Sequence, residues 1–107
     1  MALYHASVDL DQFIAIAKHA RFNQKMGKRN IAREVVEIRY IAKKLKITIA
    51  GVEYATPATG HWRGIAVIPL ASFRVVGKVP PITNPVEIVF DTKERYLKIA
   101  STRFSLE

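Results

Sequence analysis

The chain contains no cysteine in 107 residues, which removes disulfides, thiolate metal sites and cysteine nucleophiles together. Its five glycines are scattered and never fall into a Gly-x-Gly-x-x-Gly or Walker spacing, so no loop built to cradle phosphate is present. Histidine is nearly as scarce: His5, His19 and His61 lack the His-x-x-Glu-His spacing of a metal centre. Asp9 with Asp11 is accounted for by helix capping, and Asp91 with Glu94 by a turn, which leaves no carboxylate pair for acid-base work. No apolar run approaches the roughly 18 residues that cross a bilayer. Asp9 and Asp11 precede every basic residue, unlike a secretory leader. These absences lead us to expect a soluble cytoplasmic protein that is not an enzyme, with no catalytic residues, no cofactor, no metal and no membrane partner.

What the chain has in excess is positive charge, seventeen basic residues against nine acidic. Ten of the basic residues (Lys18, Arg21, Lys25, Lys28, Arg29, Arg33, Arg39, Lys43, Lys44, Lys46) lie between 18 and 46, where Glu34 and Glu37 are the only acids. Elsewhere the charges cancel. A field so lopsided draws polyanions to one region, and nucleic acid, anionic membrane and acidic protein are the candidates.

Hydrophobic periodicity divides the chain into alternating strands and two helices. Leu3 to Val8 alternates as a strand, after which Asp9 offers an N-cap with Gln12 three residues on, a capping-box spacing. In the helix that follows, Phe13, Ile16, Ala17 and Ala20 share one side and Lys18, Arg21 and Lys25 the other, with Gly27 closing it or lying just beyond. Val36, Ile38 and Tyr40, then Leu45, Ile47 and Ile49 with Lys44, Lys46 and Thr48 opposite, predict two paired strands. The Gly-, Thr- and Pro-rich stretch 51–64 predicts a short edge strand and a loop, and residues 65–68 resume strand character. Pro69 suits the first turn of a second helix, which sets Leu70, Phe73 and Val76 or Gly77 inward and Arg74 and Lys78 outward. Val86 to Phe90 and Tyr96 to Phe104 then form a hairpin around residues 91–95. No fixed period recurs along the chain, and no internal repeat is expected. The expected fold is α+β, one domain over 1–107 with an antiparallel sheet and two helices packed on one face.

This pattern resembles one repeating unit of the DNA sliding clamps, most closely the first domain of the bacterial DNA polymerase III beta subunit. The residues that carry the likeness are Val67-Ile68-Pro69-Leu70-Ala71-Ser72-Phe73 with Lys78-Val79-Pro80, then Val86-Glu87-Ile88-Val89-Phe90 and Glu94-Arg95, and finally Leu97 to Leu106 with its Arg103-Phe104-Ser105-Leu106 ending. The motifs are specific from about residue 64 onward; before that the likeness is one of element order. It implies a clamp-like processivity fold whose helices line a ring, acting by enclosure without catalysis or base reading. Clamp subunits hold two or three such domains, so a ring of twelve helices would need six copies of this one. The peptide pocket of bacterial clamps lies between later domains and is not expected here.

The resulting expectation is non-specific, clamp-like binding of double-stranded DNA in replication or repair. Phosphates would be met by Lys18, Arg21 and Lys25 of the first helix and Arg74 and Lys78 of the second, with Lys28 and Arg29 added from the loop, in a homo-oligomer. The alternative is a protein-interaction or assembly module of the same fold without DNA binding, its sheet edges pairing with neighbours. Gly60-His61-Trp62-Arg63-Gly64 invites base stacking. A lone Trp beside glycine more often covers a core or an interface, and we favour that reading.

Overall fold

A computed structural model describes residues 3–22 and 34–106, without the side chains of residues 21 and 22. Among the described residues ten elements follow in chain order: β1 (Leu3–Val8), α1 (Leu10–Phe22), β2 (Val35–Ile41), β3 (Lys44–Ile49), β4 (Val52–His61), β5 (Ile65–Pro69), α2 (Leu70–Lys78), β6 (Val86–Asp91), β7 (Tyr96–Ile99) and β8 (Thr102–Ser105). The strands make one eight-stranded sheet in the order β5-β2-β3-β4-β1-β6-β7-β8, and every neighbouring pair is antiparallel. The chain is thus α+β.

The strict alternation of the strands places one set of side chains under the helices. Ala6 and Val8, Val36 and Ile38, Leu45, Ile47 and Ile49, Ala66 and Ile68, Val86 and Ile88, and Leu97 and Ile99 are all buried on that face. The helices answer with Phe13, Ile16, Ala17 and Ala20 from α1 and Leu70, Phe73, Val76 and Gly77 from α2. Phe13 meets Phe73 edge to face, ring centroids 6.4 Å apart at 82°. Each fully buried side chain of this kind stabilises by about 1.5–3 kcal/mol. This clasp therefore fixes how the two helices lie on the sheet.

Local chemistry sets the helix ends. Asp9 accepts a bond from the Gln12 N–H at 3.1 Å, the N-cap the sequence predicts. The Gln12 side chain does not close a capping box; its Oε1 accepts the Thr56 hydroxyl at 2.8 Å, tying α1 to β4. The Leu10 N–H donates to Asn84 Oδ1 at 3.1 Å. Pro69 is the N-cap of α2 and not its first turn. The predicted closing residue of the first helix, Gly27, lies outside the described residues.

Three sequence expectations are corrected. The stretch 51–64 holds no short edge strand: β4 spans ten residues inside the sheet, pairing with β3 through residues 52–57 and with β1 through residues 58–61. Its core-facing positions include Thr56 and Ala58, too small or polar to give a strong alternating signal. The final predicted strand breaks in two, because Ala100 takes a left-handed φ of 55° and turns β7 into β8. Finally, the chain does contain a repeat. The unit β1-α1-β2-β3-β4 recurs as β5-α2-β6-β7-β8, and the halves interlock through β1 with β6 and β2 with β5. Leu10, Phe13 and Lys18 recur at the same spacing as Leu70, Phe73 and Lys78. Val36-Glu37-Ile38 recurs as Val86-Glu87-Ile88, and Leu45-Lys46-Ile47 as Leu97-Lys98-Ile99. Even the registers agree, Ile38 facing Ile47 as Ile88 faces Ile99. Differing spacers between the matching runs hide the repeat from any fixed-period search.

The repeat is incomplete in one respect. Among the described residues, β1 is flanked on both sides, by β4 and β6, whereas its counterpart β5 is paired only with β2, so that β5 and β8 are the two edges of the described sheet.

Candidate functional site

The helical layer is the face to which helical periodicity assigns the candidate residues Lys18, Arg21, Arg74 and Lys78. Lys18 of α1 and Lys78 of α2 occupy the same position in the two repeats, each one residue beyond a buried pair, Ile16-Ala17 in one helix and Val76-Gly77 in the other. Both lysines are exposed. Lys78 stands in the last turn of its helix, where the partial negative charge of the unpaired carbonyls favours a cation.

The other predicted residues fare differently. Arg74 is only half exposed, its Nε enclosed with no hydrogen-bond partner among the described residues, so it does not project fully as periodicity suggests. The physical reason lies in the repeat: Arg74 stands at the position of Ile14, at the margin between the buried and open sides of the helix. Arg21 belongs to α1, but its side chain is not described. Lys25, Lys28 and Arg29 lie outside the described residues. Asp11 in the first turn of α1 puts an acid on the same layer, whereas the first turn of α2 carries none.

On the opposite face of the sheet the strands carry Arg39, Lys44, Lys46, Lys98 and Arg103 together with Glu37, Glu53, Glu87 and Asp91. Arg39 bonds Glu53 at 3.2 Å and Lys46 lies 3.8 Å from the same carboxylate. Arg103 sits 4.0 Å over the Tyr96 ring. His5 approaches Glu87 at 3.6 Å, and the Ser7 hydroxyl donates to that residue at 2.7 Å. Among the described residues no three His, Cys, Asp or Glu side chains converge into a metal-binding group. No helix of the described residues is long and apolar enough to cross a membrane.

Trp62 is buried, stacked on Phe90 with centroids 5.0 Å apart, and its indole N–H donates to the Gly64 carbonyl at 3.1 Å. It closes the core and offers no face to a base. Where α2 ends, an apolar groove of about 660 Å³ runs between Val75, Val79 and Pro80 on one side and Ile99 and Phe104 on the other, with Ile82 92 % exposed at its rim. Nothing in the sequence pattern announces it, because its residues come from a helix end, a proline-rich loop and a strand turn.

Comparison with protein-family models, curated proteins and solved structures returns no match to this chain.

Proposed function

We propose that the chain is a non-catalytic, clamp-like DNA-binding module that meets duplex phosphates through its helical layer and reads no base. The observation that carries this reading is the equivalence of Lys18 and Lys78. Two related helices lie side by side on one face and present a cation from the same position, as a surface built to follow a regular row of charges would. Among the described residues of the two helices, the amide of Gln12 is bonded to the Thr56 hydroxyl and the His19 ring is stacked on Tyr54. Salt-sensitive phosphate contact is then the whole interaction, and each neutralised phosphate contributes about 0.9 to the slope of log K against log salt.

The edge strands β5 and β8 suit a homo-oligomer in which copies extend one sheet into the next, closing a ring about the duplex. Replication or repair proteins would be its partners, and the cytoplasm its setting. The second reading, a protein-assembly module that binds no DNA, is favoured by the apolar groove beside Ile82.

Titration of a labelled duplex at two salt concentrations separates them. Binding at low salt that weakens steeply with added salt supports the DNA reading; no binding at low salt, or binding indifferent to salt, overturns it. Molar mass by light scattering addresses the ring separately, since a monomer or dimer cannot encircle a duplex in this geometry.

A further inference from the structure

The tip of the β2–β3 hairpin breaks two local rules at once. Arg39 and Lys46 lie directly opposite each other on the outer face of the sheet, a cross-strand placement in which like charges destabilise. Glu53 is shared between them and offsets one of the two charges. The next outward position along β3 is Lys44, opposite the exposed Ile41, and the turn itself is Ala42-Lys43. Both turn residues have left-handed φ, 54° and 63°, where Asn-Gly or Asp-Gly is the usual choice. In the β3–β4 turn the first position is likewise a non-glycine residue, Ala50 at 53°, but Gly51 takes the second. A non-glycine residue in that conformation costs about 1–2 kcal/mol.

The strained tip is also pinned. The Lys43 carbonyl accepts the Ala58 N–H at 2.9 Å, and the Tyr40 hydroxyl donates to the Ala58 carbonyl at 3.4 Å. Strain and charge repulsion converge on a fixed cluster of cations, a combination expected where function outweighs local stability. Arg63, two residues before the Ile65 that pairs with Arg39, adds a further exposed cation at this end of the sheet.

We infer that this tip, Arg39, Lys43, Lys44 and Lys46, is a second phosphate-binding surface, on the face of the sheet opposite the helices, and that its ligand is a nucleic-acid backbone. The inference takes the class of its ligand from the DNA reading above, but its site is independent of the helical layer. Charge complementarity identifies the ligand: five exposed or half-exposed cations, counting Arg63, face the single bridging carboxylate of Glu53 and the more distant Glu37. A protein with phosphate-binding surfaces on both faces holds two nucleic-acid segments at once.

The test uses the full chain and two variants, K43E/K44E at the tip and K18E/K78E on the helices, all four side chains being exposed. Circular dichroism confirms that each variant is folded. Anisotropy titrations of a fluorescein-labelled duplex over a salt series give the slope for each. The inference predicts that K43E/K44E lowers the slope by about 1.8, two contacts at 0.9 each. It also predicts energy transfer between donor- and acceptor-labelled duplexes with the wild type and its disappearance in this variant. An unchanged slope for K43E/K44E with a reduced one for K18E/K78E overturns the inference and leaves the helical reading standing. The reverse result overturns the helical reading and retains the tip. Polyglutamate displacing the duplex from the K18E/K78E variant at equal charge concentration would assign the tip to an acidic protein, and so overturn the nucleic-acid ligand.

Discussion

The two faces of the sheet use the same alternating sequence for different ends. On the inner face every strand contributes aliphatic or aromatic side chains that the two helices cover, and among the described residues Thr56 is the one buried polar residue, bonded to Gln12. On the outer face the same strands present charges of both signs that nothing covers among the described residues, with like charges opposed at Arg39–Lys46 and again at Lys98–Arg103. The inner face is where the stability resides. The outer face tolerates local conflict, and the difference shows why a run of basic residues in sequence need not be one surface in space: Lys18 belongs to the helical layer and Arg39, Lys44 and Lys46 to the side behind it.

The division predicts a graded set of mutational effects. Phe13→Ala and Phe73→Ala each remove one half of the helix–helix clasp and are expected to cost about 3–5 kcal/mol in urea unfolding. The repeat predicts similar losses for the two, and a large disparity would break that equivalence. Gly60→Ala is expected to cost about 2–4 kcal/mol, because Gly60 has φ 146° and a methyl there would collide with the His5 carbonyl and Ala6 of β1. Thermal denaturation measures it; a stability equal to wild type would show that β4 and β1 are less closely joined than their pairing indicates. Asp9→Ala removes the α1 N-cap and is expected to cost about 1 kcal/mol by the same method.

The smallest stability effect belongs to the outer face. Glu53→Gln removes the carboxylate shared by Arg39 and Lys46, both partly solvated, and is expected to change stability by less than about 1 kcal/mol. It frees both cations, so the slope of duplex binding against salt should steepen. A flatter slope would contradict a phosphate-binding role for that face.

The sequence made the helices legible because both carry a clean apolar stripe, and it made the strand faces of β2, β3 and β6 legible because Ile, Leu and Val alternate without interruption. β4 escaped because Thr56, Pro57 and Ala58 mimic a loop. The repeat escaped because its conserved fragments, such as Val-Glu-Ile and Leu-Lys-Ile, are short and unevenly spaced. Of the candidate site, Lys18 and Lys78 were readable from helical period alone, whereas the half-burial of Arg74 depends on where the helix meets the sheet. The hairpin tip was unreadable as a site: the left-handed φ of Ala42 and Lys43 and the sharing of Glu53 are properties of register, not of composition.

Phosphate binding by the helical layer is tested most directly by a salt series on K18A/K78A with two duplexes of unrelated sequence. The wild type is predicted to bind both duplexes equally, and the variant to lose affinity equally for both, with a slope lower by about 1.8. An unchanged slope, or a loss confined to one of the two sequences, would contradict phosphate binding by the paired helices.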